Sequence, residues 1–336
     1  MSAEPILEVK RLYKHFPMRQ SILDMLHRRK QEVIRAVDGV SFRLEKGEVL
    51  ALVGESGCGK TTIARTLIGL EKATSGEILF KGQNVGDGKD KKIISLKQLR
   101  QRAQVVFQDP YESLNPRATI FDIVAEPLVV HDLIKDSQER HERVKMALEE
   151  AGLRPAEDYL LRYPHELSGG QRQRAVIAGA MVLEPELLLA DEPVSMLDVS
   201  IRAEILNLLN ALRRSRGISI LFITHDLGTV GHFADRLAVM YLGRIVEIGP
   251  TAEVLKNPQH PYTRALLSVV PAPNPKLRRT MVILSGETPN PINLPAGCRF
   301  HPRCPMAMVA CKMTDPSLVD LGKGHQAACL LITPEF

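Results

Sequence analysis

Gly54-Glu55-Ser56-Gly57-Cys58-Gly59-Lys60-Thr61 follows the apolar run Val49-Leu50-Ala51-Leu52-Val53 and leads into Thr62-Ile63-Ala64-Arg65-Thr66-Leu67. The order is strand, glycine loop, helix, with the spacing of a phosphate-binding loop. Glycines let successive backbone N–H groups close around phosphate oxygens, and the following helix N-terminus adds a favourable field. Lys60 would reach the β- and γ-phosphates and the Thr61 hydroxyl would ligate Mg²⁺, with Thr62 completing the nucleotide contacts. The reading that follows is an α/β fold of the P-loop type. The loop alone does not say what the nucleotide is for.

Composition bounds the rest. With 336 residues and 44% apolar side chains, the chain can bury one large or two modest cores. The longest uncharged apolar stretch, near Ala175–Leu183, falls far short of the roughly 20 residues that span a bilayer, and the N-terminus lacks the apolar core of a signal peptide. The expectation is a cytoplasmic protein whose membrane role, if it has one, needs partner subunits. A net charge of +5 is unremarkable for this length and is assigned no function. Four of the five cysteines lie after residue 297, which in a cytosolic chain favours metal binding over disulfides.

Taken in order, Ile6–Phe16 alternates as a strand and Val37–Leu44 reads as its return partner. Between them, Met18–Arg35 combines apolar and basic residues as a short amphipathic helix would, either a solvated insertion or a contact for a membrane partner. Gly76–Gly82 suggests a further strand and the lysine-rich Gly86–Lys92 a surface loop. The strand Gln104-Val105-Val106-Phe107 delivers Gln108, whose amide can bond a Mg²⁺-bound water and so sense a γ-phosphate. Thr119–Tyr163 is helical in pattern, with Asp136-Ser137-Gln138-Glu139 resembling a capping box. Then Ser168-Gly169-Gly170-Gln171 opens the apolar helix Ala175–Leu183. Ser168 and Gln171 stand at reciprocal cap positions and the glycines leave backbone N–H groups bare, so this is either a second phosphate-binding terminus or an ordinary cap.

Leu187-Leu188-Leu189-Ala190 is a buried strand ending in Asp191 and Glu192, and charges at such a place need a cation or a partner. Asp191 suits a supporting role towards Mg²⁺, and Glu192 can polarise or deprotonate an attacking water. After the helix Val199–Arg213, the strand Ile218–Thr224 delivers His225, which can hydrogen-bond a γ-phosphate or simply be a satisfied structural histidine.

In this order and spacing, the motifs resemble those of ABC-transporter ATPase subunits over roughly residues 6–255. The resemblance implies an ABC-ATPase fold with an antiparallel β subdomain, a helical subdomain about 112–180, and an irregular C-terminal extension over 256–336. It makes Gly54–Thr61 the Walker A loop, Gln108 the Q-loop glutamine and a metal ligand beside Thr61, Ser168–Gln171 the signature, and Leu187–Glu192 the Walker B strand. Ser195–Asp198 becomes the D-loop, with Met196 where a small residue is more usual, and His225 the switch histidine. Phe16 aligns with the aromatic that stacks on adenine, Tyr13 being its neighbour. Family members pair head to tail, so one chain would carry two half-sites.

Further stretches are similar to the peptide and nickel importers: Phe107–Arg117 and His260–Leu267. Leu284–Pro289 and Gly297–Cys304 match the peptide branch, and Ala36–Phe42 with Met240–Arg244 resemble the second of the two ATPases of dipeptide importers. The partners implied are a different ABC ATPase, two transmembrane permease subunits and, indirectly, a periplasmic or extracellular solute-binding protein, at the cytoplasmic face of the inner membrane; no nucleic acid is implied. Alternatives are a nickel or other small-solute importer and a soluble non-transport ABC ATPase, although neither an internal repeat nor long heptads are present. From about Pro271 the chain is proline-rich, with Pro271, Pro273, Pro275, Pro289, Pro291 and Pro295. Cys298, Cys304, Cys311 and Cys329 are spaced C-x5-C, C-x6-C and C-x17-C, unlike paired zinc knuckles. Spacing alone leaves packed thiols, zinc and iron–sulfur open; the same pattern in the peptide branch implies a [4Fe–4S] cluster. Cys58 reads as a small loop residue rather than a ligand.

Overall fold

The computed structural model describes residues 4–18, 20, 31–86, 93–270, 284, 286–287 and 289–332. Most of the basic Met18–Arg35 segment, most of the lysine-rich loop, Pro271, Pro273, Pro275, and Ser285 and Thr288 of the peptide-branch stretch lie outside the described residues. Two compact units result, one made of Met1–Glu8, Arg43–Val49 and Leu79–Ile223, the other of Val9–Phe42, Leu50–Ile78 and Thr224–Phe336.

In the first unit, strands Ala103–Val106, Leu187–Asp191 and Ser219–Thr224 form a parallel ladder, with Val105 opposite Leu189 and Leu189 opposite Leu221. Every residue of the latter two strands is buried. That is why they read as continuous apolar runs rather than alternating ones: a parallel strand covered on both faces has no solvent side. A separate helical core gathers Ile120, Val124 and Leu128 from helix Ile120–Val130, Val144 and Leu148 from helix Ser137–Glu150, and Ala175 and Ala178 from helix Gly169–Met181. Spacing of three to four residues puts each set on one helix face. Thr119 forms a capping box with Asp122, and Asp136 accepts the Glu139 N–H at 2.8 Å, so both helices start where the sequence places a cap.

In the second unit, the strand ending at Val53 runs parallel to Arg236–Tyr241, with Ala51 opposite Leu237 and Val53 opposite Val239. Arg236–Tyr241 turns through Leu242 and Gly243 into the antiparallel Arg244–Pro250. The chain's last strands then add to that ladder: Gln326–Ala327 pairs with Glu247 and Ile248, and Val319–Asp320 pairs with Gln326 and Ala327 in turn. Strand Leu7–Pro17 lies between Val33–Leu44 and Ser75–Phe80. Helices Thr251–Lys256 and Pro261–Ser268 follow the hairpin, and short 3₁₀ turns at His301–Arg303 and Val309–Lys312 carry the cysteine-bearing region. That region is fastened at Glu247, fully buried, which accepts both the Gln259 and His260 backbone N–H groups and meets His325 Nε2 at 2.7 Å. The C-terminal residues are therefore built into the same unit as the glycine loop. No helix among the described residues is long and apolar enough to cross a membrane.

Candidate functional site

The glycine loop of the second unit needs its glycines for room. A side chain at Gly59, whose φ is +108°, would place its Cβ 2.0 Å from the Ala36 carbonyl oxygen, and one at Gly54 would lie 2.2 Å from that of Met240. No L side chain fits either place. Gly59 is also the N-cap of helix Lys60–Leu67, so the helix start has no side-chain cap hydrogen bond. Lys60 is 5% exposed, and its ammonium donates to the loop's own carbonyls, Gly54 O at 2.7 Å and Glu55 O at 3.0 Å. Cys58 Sγ lies 3.8 Å from the same ammonium. Burial nevertheless pushes the Cys58 thiol up, outweighing the lysine charge, so it stays a neutral packing group. Ser56, Gly57 and Thr61 are exposed at the loop surface, with Glu55 and Thr62 half-buried.

On strand Leu7–Pro17, the half-buried Phe16 carries the Lys14 ammonium 4.4 Å above its ring. Its neighbour His15 meets the buried Asp38 at 2.9 Å through Nε2, and Asp38 also pairs with Arg299. Burial opposes ionisation of Asp38, but hydrogen bonds from Arg299 and His15 and the charges of Arg299 and Arg244 hold its carboxyl below the usual range. His225 is exposed at the end of its strand, and Asp226 caps the next helix by accepting the Gly228 N–H at 2.8 Å.

The first unit holds the other expected residues. Strand Ala103–Val106 stops two residues before Gln108, and strand Leu187–Asp191 stops just before Glu192; across their ends Gln108 Nε2 donates to Glu192 Oε2 at 3.2 Å. Asp191 is buried at 2% exposure. Glu192 has a left-handed backbone, φ +49°, fixed by its N–H to Ile223 O at 2.9 Å and by Ser195 Oγ donating to its carbonyl at 3.1 Å. A non-glycine residue in that region costs on the order of 1–3 kcal/mol and is retained where the surroundings over-determine it. The D-loop residue Met196 is 55% exposed, so its size meets no packing conflict there.

At the signature stretch the helix begins at Gly169, six residues ahead of the apolar run. Ser168 Oγ accepts the Gln171 N–H at 3.3 Å and Gln171 Oε1 accepts the Ser168 N–H at 3.0 Å, which closes the expected reciprocal cap. Gly170 is tight: a Cβ would lie 2.9 Å from Ile201 Cγ2. Sequence reasoning missed Tyr111 and Arg172, whose guanidinium stacks on the Tyr111 ring at 4.2 Å. This links the segment after Gln108 to the signature helix.

All five cysteines are free. Cys298, Cys304, Cys311 and Cys329 converge: the Cys298 N–H donates to Cys311 O at 2.9 Å, and the four act electrostatically on one another. Burial, then the neighbouring sulfurs, pushes the Cys298 thiol up to about 11 and raises Cys304 and Cys329. Among the described residues, no group of three or more His, Cys, Asp or Glu side chains is placed to hold a metal ion. The expected iron–sulfur site thus has its four thiols gathered in one region, without a preformed ion site.

Comparison with known proteins gives a consistent result. Residues 37–195 match the ABC transporter family and residues 246–311 the oligopeptide/dipeptide transporter C-terminal region. The chain is 48% identical over 330 residues to the oligopeptide transport ATP-binding protein AppF of Bacillus subtilis, covering 98% of each. It is 46% identical to the dipeptide transport ATP-binding protein DppF of Haemophilus influenzae, over 98% of this chain and 97% of the relative. Among solved structures, cbiO1 from Clostridium perfringens, part of the ABC transporter complex cbiONQ, superposes with a TM-score of 0.63 at 30% identity, over 76% of this chain and 92% of that one. The ATP-binding cassette MJ0796, in a dimeric post-hydrolysis state bound to ADP and Pi, gives 0.62 at 28% identity, over 73% and 98%. With near-complete coverage at this identity, and with the glycine loop, strand-end carboxylates and capped signature helix all formed, the chain belongs to the ATP-binding proteins of ABC transporters, in their oligopeptide/dipeptide branch.

Proposed function

We propose that this chain is the ATP-hydrolysing subunit of a dipeptide or oligopeptide importer, with an ATPase domain over 1–255 and a peptide-importer extension over 256–336. The observation that carries the reading is the strand-end pair: Glu192 in a strained backbone conformation, its carboxylate bonded by the Gln108 amide at 3.2 Å. A general base for water attack on a phosphoryl group has to be a carboxylate held in place, as Glu192 is at the end of a buried strand, and its left-handed backbone marks the position.

Each remaining residue has its part. Residues 54–62 bind the triphosphate, with Lys60 exchanging the Gly54 and Glu55 carbonyls for phosphate oxygens. Phe16 stacks on adenine. Thr61 and Gln108 offer the hard oxygen donors that suit Mg²⁺, with Asp191 in support; the bound ion would neutralise charge developing on the transferred phosphoryl group. His225 hydrogen-bonds the γ-phosphate. The exposed Ser168, with Gly169, Gly170 and Gln171, serves the nucleotide of a partner ATPase of different sequence, so each chain supplies two half-sites. Two permease subunits and a solute-binding protein complete the transporter, with this chain peripheral on the cytoplasmic face of the inner membrane. Coupling to the permeases falls to Gln108–Arg117, where the Tyr111–Arg172 stack ties that segment to the signature helix.

Cys298, Cys304, Cys311 and Cys329 fit a [4Fe–4S] cluster by donor chemistry: four gathered thiols, of which burial raises Cys298, Cys304 and Cys329, so that these need a cation to favour their thiolates. Such a cluster would staple the irregular C-terminal region. Iron and sulfide analysis of anaerobically purified protein tests this, and stoichiometric zinc without iron would rule it out.

The functional reading is tested by affinity purification through this chain from its native membrane, followed by peptide uptake in reconstituted vesicles. Recovery of two permeases and ATP-dependent uptake of peptides is expected. Recovery without a permease, or uptake of nickel in place of peptides, would overturn it.

A further inference from the structure

The loop that is to bind a polyanion contains an acidic side chain, Glu55. Its partner comes from 248 residues further along the sequence: Arg303 Nη1 meets Glu55 Oε2 at 2.8 Å and Arg303 Nη2 meets Oε1 at 3.1 Å. Two parallel N–H donors on two carboxylate oxygens fix both distance and plane. The side chains are only 10% and 25% exposed, so solvent does little to weaken the pair.

The surroundings hold Arg303 in place. Tyr241 Oη accepts from its Nη1 at 3.5 Å, and Phe300, three residues earlier, packs against Tyr241 and Tyr262 with ring centroids 5.3 and 5.4 Å apart. Tyr262 in turn accepts the Glu55 backbone N–H at 2.9 Å. Glu55 is thus fixed at its backbone by one residue of the C-terminal region and at its carboxylate by another.

We propose that Arg303 is a positioning residue for ATP: it neutralises Glu55, which would otherwise repel the triphosphate, and orients the entry to the phosphate loop. The inference rests on the reading of Gly54–Thr61 as an ATP loop. It gives the C-terminal region a direct part in nucleotide affinity.

Opposite charges make the test specific in sign. The full-length chain as wild type, R303M, E55Q and R303M/E55Q is titrated with a fluorescent ATP analogue and Mg²⁺, and kcat and KM for ATP are measured on the assembled membrane complex. R303M should weaken nucleotide binding and raise KM on the order of tenfold, with kcat changed less, as expected for a typical coupling between linked groups. In the E55Q background the same substitution should cost less than about twofold, because no charge is left to compensate. R303K, which keeps the charge but loses the fork, should fall between. An equal loss in both backgrounds marks a merely structural role and overturns the proposal, as does no loss with Glu55 present. If R303M does not fold, R303K in the two backgrounds carries the same comparison, with roughly threefold expected with Glu55 and none in E55Q. Wild-type protein that fails to bind the analogue refutes the ATP reading itself, and the inference with it.

Discussion

Acidification from pH 7.5 to 5.5 should destabilise the second unit by about 1 kcal/mol through one buried imidazole, His260. This residue is 1% exposed, and burial first, then the positive charge of Arg264, lowers its pKa to about 3 from an ordinary 6.5. Its ring Nδ1 accepts the Tyr262 N–H at 3.1 Å, which requires a neutral ring, while its backbone N–H goes to Glu247 Oε2 at 2.9 Å. Between pH 6.5 and 3 the unfolded chain holds a proton at this position and the folded chain does not. Stability is therefore complete above pH 6.5 and falls with pH below it, by about 1.4 kcal/mol per unit. Integrated from pH 6.5 down to 3, the loss is about 4 kcal/mol. Urea unfolding followed by tyrosine fluorescence across this range, at constant m, measures it. H260N keeps an acceptor for the Tyr262 N–H without the titration, and carboxylates common to both proteins cancel in the comparison. The wild-type slope should exceed that of the variant by about 1.4 kcal/mol per pH unit; equal slopes would refute the reasoning.

Gly59→Ala should cost on the order of 3 kcal/mol or more, because its Cβ would collide with the Ala36 carbonyl at 2.0 Å, and should abolish nucleotide binding; a near-normal melting temperature with retained binding would contradict it. Asp38→Asn leaves Arg299 buried without its counter-charge, so a loss of about 3–5 kcal/mol is expected in denaturant titration, and a loss below 1 kcal/mol would show the pair to be dispensable. Ser168→Ala removes the cap of the signature helix, worth about 1 kcal/mol, and should lower ATP turnover of the assembled complex by more than its effect on folding; unchanged turnover counts against a role at the partner's nucleotide.

Much of this was legible because the physics is local. The glycine loop announces itself through residues that only a crowded, left-handed backbone requires, and buried parallel strands through unbroken apolar runs. Ser168 and Gln171 reveal a helix start three residues apart. What stayed hidden is what chain folding brings together from afar: Arg303 with Glu55, Arg299 with Asp38, Arg172 with Tyr111. In the sequence, Arg299 and Arg303 sit between two cysteines, where the eye counts metal-ligand spacing and ignores the residues between. The irregular turns around them have no period from which a facing direction could be read. The left-handed backbone of Glu192 was equally hidden, since nothing in a glutamate signals it, although its place after a buried strand marked it as chemical. How the C-terminal extension joins the Arg244–Pro250 strand was not legible either, because two-residue strands such as Gln326–Ala327 leave no pattern.

The central claim is that Glu192 activates water at an ATP site of a membrane complex. ATP hydrolysis by the complex purified through this chain, wild type against E192Q, tests it most directly. The variant should bind ATP and hold the paired ATPases closed while turnover falls on the order of 10²–10⁴-fold; undiminished turnover would remove Glu192 from the chemistry assigned to it.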